Sequence, residues 1–460
     1  MQSNIASRAG WFTLSNMAFS VFLALKNTPL AWLTPWSYER INVLHRCTGV
    51  FALLHMTIHA CSYSSYFAMK HQSSTLTSRT SIFGIIAGSS FFILGLSGVV
   101  LRPWWYELFY YVHIMFATVA ITMVALHQPS LAEGFLIVTI ITGGIWALDR
   151  MVRVVRLVIY STNNSVTLTP LDHGGTRVTL SKAPFGASSG KHCFLWIPAI
   201  RRFETHPFTI SAMDPLEFVV TSHDGFTKEL HTCAVATPGV ALKASVEGSY
   251  GTFPLPTGYD KVVLIAGGSG ASFTFGVALN ALNLLAESSP TKIMFVWTVR
   301  HRSLLDWYKE HFLTLARHTR VSVHIFVTRG TRQATGSATD SEQRRFDGTR
   351  SVINSEISAA SNSSVASMSG DDEKCIATVH ESSMESGLDH STIAGTPIIW
   401  KRPDVAAMIR GVVAETSMDQ NILVMGCGPR SLMKQIRDTT AECIRADGPS
   451  VELHCEQFGW

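Results

Sequence analysis

The chain has 460 residues, 47% of them hydrophobic and 15% charged, with a mean hydropathy of +0.21. That is too apolar for an ordinary soluble protein and too polar for one lying wholly in a membrane, and the length suits two or three domains. A net charge of +4 is too mild to argue for nucleic acid as a partner.

The long apolar runs lie in residues 1–160, and the remainder reads as soluble. Five spans are expected, over about 10–25, 41–63, 82–101, 107–127 and 131–150, against the ~20 apolar residues a crossing needs. The first run starts near Trp11 and lacks a small-residue cleavage site, so no cleavable signal peptide is expected. Arg102-Pro103 marks a turn between the third and fourth spans, and Gln128-Pro129 one between the fourth and fifth. Lys26, Arg40, Arg46, Arg102, Arg150, Arg153 and Arg156 fall on one side, with Lys70 and Arg79 opposite. The excess of Lys and Arg makes the first side cytoplasmic, which places the C-terminal half in the cytoplasm.

Within these spans, His45 and His59 are fourteen residues apart, and so are His113 and His127. Fourteen helical residues rise about 21 Å and return to nearly the same face. The second and fourth spans run in the same direction. His45 therefore shares the inner depth with His113, and His59 shares the outer depth with His127. Ionisable groups inside a membrane are costly and mark function. Two stacked bis-imidazole sites fit two b-type haems. Two axial imidazoles leave the iron no open position, so such haems pass electrons. His55 is the competitor to His59, but it lies nearly a quarter-turn out of register with His45 and is assigned to interhelical hydrogen bonding.

Residues 161–258 show short alternating strands, SVTLTPL, TRVTLS, HCFLWIPAI, LEFVVTS and GVALKASVEG, expected to form a small antiparallel barrel. It encloses His206-Pro207-Phe208-Thr209-Ile210-Ser211. Asp224-Gly225-Phe226-Thr227 opens a helix whose N-terminal amides suit a phosphate. From residue 259 the pattern becomes strand, glycine loop and helix, expected as an α/β domain with a parallel sheet over 259–460. Gly267, Gly268 and Gly270 allow close approach of a pyrophosphate. Gly426-Cys427-Gly428-Pro429 ends a later strand. A Ser/Thr-rich insertion over about 331–395 is expected to be disordered. The eight cysteines show no CxxC pair and point to reduced thiols.

Taken together, these segments resemble a fungal ferric reductase of the ferric reductase/NADPH oxidase transmembrane superfamily over nearly the whole chain. SYERINVLHRCTGVFALLHMTIHACSY and FYYVHIMFATVAITMVALH resemble its two haem helices, and HPFT its FAD motif. GGSGASF and CGPRSL resemble its NADPH motifs, and Phe458-Gly459-Trp460 its aromatic C-terminus. The resemblance implies a multidomain fold: a helical transmembrane haem bundle (1–160), a β-barrel FAD domain (161–258) and a ferredoxin reductase-like NADPH domain (259–460). It also implies one span ahead of the first one seen here, so the chain is expected to be N-terminally short.

The implied chemistry moves electrons from cytosolic NADPH through FAD and two haems to an extracellular or lumenal ferric or cupric chelate, with an iron permease or oxidase downstream. The protein would be integral to the plasma membrane. Thr209 would bond the flavin, with His206, Pro207, Phe208 and Ser211 around it and Gly225, Phe226 and Thr227 near the FAD phosphates. Gly267, Gly268, Gly270 and Ser272 would face the NADPH pyrophosphate, and Arg300 its 2′-phosphate. Cys427 and Gly428 would lie beside the nicotinamide, and Trp460 would stack on the flavin. Two other readings use the same residues differently: a superoxide-producing NADPH oxidase, and a degenerate, non-enzymatic membrane scaffold. Thr221-Ser222-His223, where the family has a basic residue, and the missing span motivate the scaffold; Ser249, where the family usually has proline, is a further departure.

Overall fold

The computed structural model describes residues 2–34, 36–127, 133–329, 392–393 and 395–456. The N-terminal part is helical: α1 (Gln2–Leu23), α2 (Leu30–Leu33), α3 (Tyr38–Met69), α4 (Arg79–Leu96), α5 (Arg102–Trp104), α6 (Tyr106–Leu126) and α7 (Glu133–Ser161). A π-turn at Ser97–Leu101 joins α4 to α5. Four stretches are long and apolar enough to cross a membrane: Tyr38–Met69, Arg79–Trp104, Tyr106–Leu126 and Glu133–Ser161. The first expected span, about 10–25, falls in α1, which has the length but not the apolarity, since polar residues such as Ser3, Asn4, Ser7, Arg8 and Asn16 are spread along it. It still lies along α3, with Ala6 bonded to His59 and Ser20 to His45, so the two helices run antiparallel.

Two expected boundaries move. The chain stays helical through Arg102-Pro103 and breaks at Trp105 (φ −150°), because proline is tolerated in a first turn, where its missing N–H has no partner to lose. The last helix runs eleven residues past Arg150 instead of stopping there. The Gln128-Pro129 turn lies outside the described residues.

The outward faces of these helices are apolar, with Val50, Phe51, Phe92 and Ile140 each more than half exposed. Such surface suits lipid. Leu14, Met17, Ala52, Met56, Phe91 and Val124 close the interior.

The second part is a seven-stranded antiparallel sheet: β1 (Ser165–Leu171), β2 (Gly175–Leu180), β3 (His192–Trp196), β4 (His206–Ala212), β5 (Leu216–Thr221), β6 (Ala241–Lys243) and β7 (Ser245–Tyr250), with α8 (Phe226–Ala236) between β5 and β6. Its order is β6-β1-β2-β5-β4-β3-β7. The segment GVALKASVEG, expected as one strand, breaks at Ala244. Its first half pairs with β1 and its second with β3, at opposite edges. One residue joins the two edges, so the sheet must curl shut as a barrel, as the alternation predicted. Its core includes Val166, Leu180, Leu195, Ile210, Phe218 and Phe226.

The third part contains β8 (Lys261–Gly267), α9 (Ala271–Leu284), β9 (Lys292–Val299), α10 (Lys309–Ala316), β10 (Val321–Val327), β11 (Thr392–Ile393), β12 (Thr396–Ile399), α11 (Val405–Ala414), β13 (Asn421–Cys427), α12 (Arg430–Cys443) and β14 (Ser450–Glu456). The order is β11-β12-β10-β9-β8-β13-β14, parallel except for β11. From β8 the chain builds outward to β9 and β10, then returns to the other side with β13 and β14. The switch point between β8 and β13 is where a parallel sheet opens a ligand crevice. Most of the expected insertion lies outside the described residues, but its last part is structured, since Thr392–Ile393 pairs with Thr396–Ile399.

Candidate functional site

The four span histidines meet in the pairs that their spacing predicted. The ring centroids of His45 and His113 are 6.2 Å apart, and those of His59 and His127 6.1 Å. Nδ1 of His45 donates to Ser20 O, Nδ1 of His59 to Ala6 O and Nδ1 of His127 to Thr80 O, each at 2.8 Å. Nδ1 of His113 lies 3.4 Å from Ser97 Oγ, which the π-turn presents. A carbonyl partner fixes the proton on Nδ1 and leaves Nε2 as the lone-pair nitrogen, the usual arrangement of a metal-ligating histidine. Imidazoles that each place a nitrogen about 2 Å from a shared ion have centroids roughly 6 Å apart. The donor set and its separation therefore fit a bis-imidazole iron at two depths.

Two glycines seat the outer pair. A Cβ on Gly10 would lie 2.8 Å from His59 Nδ1, and one on Gly84 2.5 Å from His127 Cε1. Sequence inspection missed both, because a helical glycine shows its purpose only once its neighbour is placed. Among the described residues His55 pairs with no other histidine, as its register indicated, but its hydrogen bond goes to Phe51 O of its own helix and not across helices as expected.

Below the inner pair, the bundle meets the barrel through charged and aromatic groups. On the first turn of α3, Tyr38 Oη hydrogen-bonds His192 Nε2 at 3.2 Å and Glu39 Oε1 lies 2.9 Å from the same nitrogen. Arg153 Nε donates to Glu247 at 3.2 Å, and Tyr250 Oη also bonds Glu247. Lys26 Nζ sits 3.1 Å over the Phe194 ring. Burial, and then the Arg153 charge, pull the Lys26 ammonium well below its ordinary pKa. Arg40 Nη2 reaches His454 on β14 at 3.0 Å. Three consecutive residues of one helix thus touch both soluble parts.

On the barrel, His206 stacks on Phe226 at 4.2 Å, and Glu204 holds its Nε2 at 3.1 Å. Burial lowers the His206 pKa. Pro207, Phe208 and Thr209 are half-buried along β4, and Thr209 stands opposite His192 in register. Gly225 (φ +53°) caps α8, and Thr227 Oγ1 closes that turn by accepting from His223 N. Phe226 is a core residue, so only its neighbours face the loop surface. Ser211 is fully buried with its hydroxyl donating to Glu217.

At the switch point the two glycine loops touch. A Cβ on Gly270 would overlap the Cys427 carbonyl, one on Gly267 would lie 2.7 Å from Pro429 Cδ, and one on Gly428 3.0 Å from Gly267 Cα. Gly268 (φ +58°) faces open space. Arg300 is exposed at the C-terminal end of β9. Cys427 is buried, and burial pushes its thiol pKa up, so it stays protonated. Ser272 departs from its expected place. Its hydroxyl is 2.5 Å from Tyr308 Oη and points into the core, because α9 has already turned that face inward. Trp460 lies outside the described residues.

Between barrel and α/β part sits a buried cluster. Arg177 Nε is 3.2 Å from Glu217 and Nη2 donates to Trp307 O at 2.8 Å, while His311 Nε2 lies 3.4 Å from Glu217 without hydrogen-bond alignment. Burial, then the Arg177 charge, bring His311 down to about 4. The unfolded chain takes up this proton near 6.5 and the folded one only near 4, so stability falls as pH drops through that window. The loss attributable to His311 is about 3 kcal/mol at most. Burial raises the Glu217 pKa, which acts in the opposite sense at the acid end. His311→Leu should flatten the decline in thermal flavin-release temperature between pH 7 and 5. An unchanged slope would assign the decline to other groups.

The fold is that of an integral membrane protein carrying a flavin-type barrel and a nucleotide-type parallel sheet on one side. Residues 9–124 match the family described as ferric reductase like transmembrane component, 161–253 the FAD-binding domain, and 259–441 the ferric reductase NAD binding domain. The chain is thus a homologue of the fungal ferric reductases. It is 26% identical to ferric reductase transmembrane component 1 of Schizosaccharomyces pombe, covering 70% of this chain and 64% of that one. Identity to ferric/cupric reductase transmembrane component 2 of the same yeast is 25%, covering 77% and 70%. For ferric/cupric reductase transmembrane component 2 of Saccharomyces cerevisiae it is 22%, covering 96% and 59%. The chain therefore spans 59 to 70% of these relatives' lengths. A solved ferredoxin NADP+ reductase from Neisseria gonorrhoeae aligns with a TM-score of 0.39 at 11% identity, over 64% of this chain and 98% of that one.

Proposed function

We propose that this protein is a transmembrane ferric or cupric chelate reductase of the plasma membrane, drawing electrons from NADPH on the side of the soluble domains and delivering them to a chelate on the other. The observation that carries it is the pair of imidazole pairs, 6.2 and 6.1 Å across, stacked in a bundle whose inner end bears FAD- and NAD-binding domains. When bound, NADPH and FAD supply hydride transfer, and two b-type haems supply single-electron steps.

The residues do the positioning. Nδ1–H bonds to Ser20, Ala6 and Thr80 carbonyls make His45, His59 and His127 more basic and hold their rings in place. Thr209 and the strand HPFT offer the isoalloxazine a hydroxyl and an apolar wall, and the α8 N-terminus at Gly225 takes phosphate. Gly267, Gly268 and Gly270 let backbone N–H groups reach a pyrophosphate, with the neutral Cys427 thiol and Gly428 opposite. Arg300 is placed to receive a 2′-phosphate as a fork.

Membranes expressing the chain test the reading. Dithionite should give sharp b-type difference bands, NADPH should give the same bands, and NADPH should drive reduction of a ferric chelate. Bands with dithionite alone would refute the flavin link, and no bands would refute the haem sites. Arg300→Leu should raise the KM for NADPH about 10- to 100-fold, the equivalent of one charge-assisted hydrogen bond, and leave NADH use unchanged. Equal changes for both nucleotides would remove Arg300 from the 2′-phosphate site.

A further inference from the structure

The outward face of α7 carries an apolar stripe that does not stop where the bilayer does. Ile137, Ile141, Leu148, Met151, Val155 and Val158 recur at steps of three and four, with Gly144 completing the series, and all six side chains are 49–60% exposed. That is the 3.5-residue period of a helix seam, sustained over three heptads. Glu133 to Arg150 rises about 27 Å, close to the ~30 Å hydrocarbon layer. From Arg153 onward the opposite face lies against the barrel. Arg153 bonds Glu247 and Ser245 Oγ donates to Leu157 O at 2.6 Å. Counted from Arg150, Val155, Val158 and the neighbouring Ile159 lie about 7–13 Å further along the helix, exposed beside a soluble domain. Phe185, 94% exposed, follows directly, its backbone N–H donating to Tyr160 Oη on the last turn.

We propose that this stripe is a homodimer seam, on which α7 of a second copy packs in parallel. Lipid covers only the first half of the stripe. The second half needs a protein partner, and an apolar patch that continues from lipid into water needs one that leaves the bilayer at the same place. A second copy presents the same stripe, at the same two depths, in the same orientation, and is self-complementary about a two-fold axis along the membrane normal. Gly144, with open space where a Cβ would stand, and the exposed Ala147 allow the close backbone approach that helices use inside membranes. The exposed area of the stripe is on the order of 800 Å² a side, the size of an ordinary stable interface. Arg150, Arg153 and Arg156 do not oppose this packing, since they point to Tyr110, Glu247 and Asn27.

The test is disulfide trapping in membranes holding the full chain, with single cysteines placed at each position from Met151 to Val158. Crosslinking to twice the chain mass should peak at Met151→Cys, Val155→Cys and Val158→Cys and be low at Val152→Cys and Leu157→Cys. The native Cys47 and Cys61, exposed on α3, set the background in the unsubstituted chain. Val155→Arg should weaken dimer association about 30-fold or more, read as the mass of the detergent-purified particle, with flavin absorbance retained as the check on folding. A flat crosslinking profile, a monomeric unsubstituted chain, or crosslinks at any other mass would each overturn the proposal.

Discussion

His59→Ala should remove one of the two proposed haems and cut chelate reduction by intact cells at least about 100-fold, more than is lost when a mere supporting partner of a ligand is removed. Among the described residues His59 and His127 form the outer imidazole pair, 6.1 Å apart, with Nδ1 of each tied to a backbone carbonyl. Removing one ring leaves its partner without a counterpart across the iron. The inner pair, about 21 Å away along the helix, keeps both of its members. NADPH should therefore still bleach the flavin and the remaining haem. The check is a dithionite difference spectrum with half the haem per flavin, taken beside the surface reductase assay. Normal reduction outside the cell in this variant would show that electrons leave by another route.

Gly270→Val should disable nucleotide use while sparing the bundle. A side chain at position 270 would overlap the Cys427 carbonyl and crowd Gly428 N, which are backbone atoms of a central strand and cannot turn aside. The two loops at the switch point must then part, at a cost of about 1–3 kcal/mol or more. Expressed in binding, that is about a 10- to 100-fold rise in KM for NADPH. Dithionite should still reveal both haems, and purified protein should keep its flavin. Stopped-flow reduction of the flavin over a range of NADPH concentrations measures the change, and an unaltered KM would place the nucleotide elsewhere.

The histidine pairing was legible because fourteen residues is a property of the helix alone, needing no knowledge of neighbours. The glycine loops and HPFT were legible as local chemistry on strands of the expected type. What escaped lies between elements. Gly10 and Gly84 matter only through rings on other helices, and His192 gains its role from Tyr38 and Glu39, 154 and 153 positions earlier. Ser272 and Ser211 looked available beside nucleotide and flavin motifs, but hydroxyls on inward faces bond within the core. The split of GVALKASVEG at Ala244 follows from sheet closure, which apolar alternation cannot foresee. The span expected over about 10–25 is part of α1, which starts at Gln2 and falls short of a crossing helix's apolarity. Its polar first turns are tolerable where helix packs on helix, and such a helix need not be apolar all round.

The unbroken passage of α7 out of the bundle to Ser161, four residues before β1 begins, has a kinetic meaning. A donor domain on a long flexible tether meets its acceptor at an effective concentration set by tether length, and spends part of its time undocked. Here the tether is a rigid rod braced at Arg153 and Leu157, with a second brace where the first turn of α3 grips the barrel. These contacts favour donor and acceptor parts that stay docked, with no separate encounter step. Turnover per molecule should not change on dilution or with solvent viscosity, and the pace should be set by nucleotide arrival or by the outer substrate, not by domain docking.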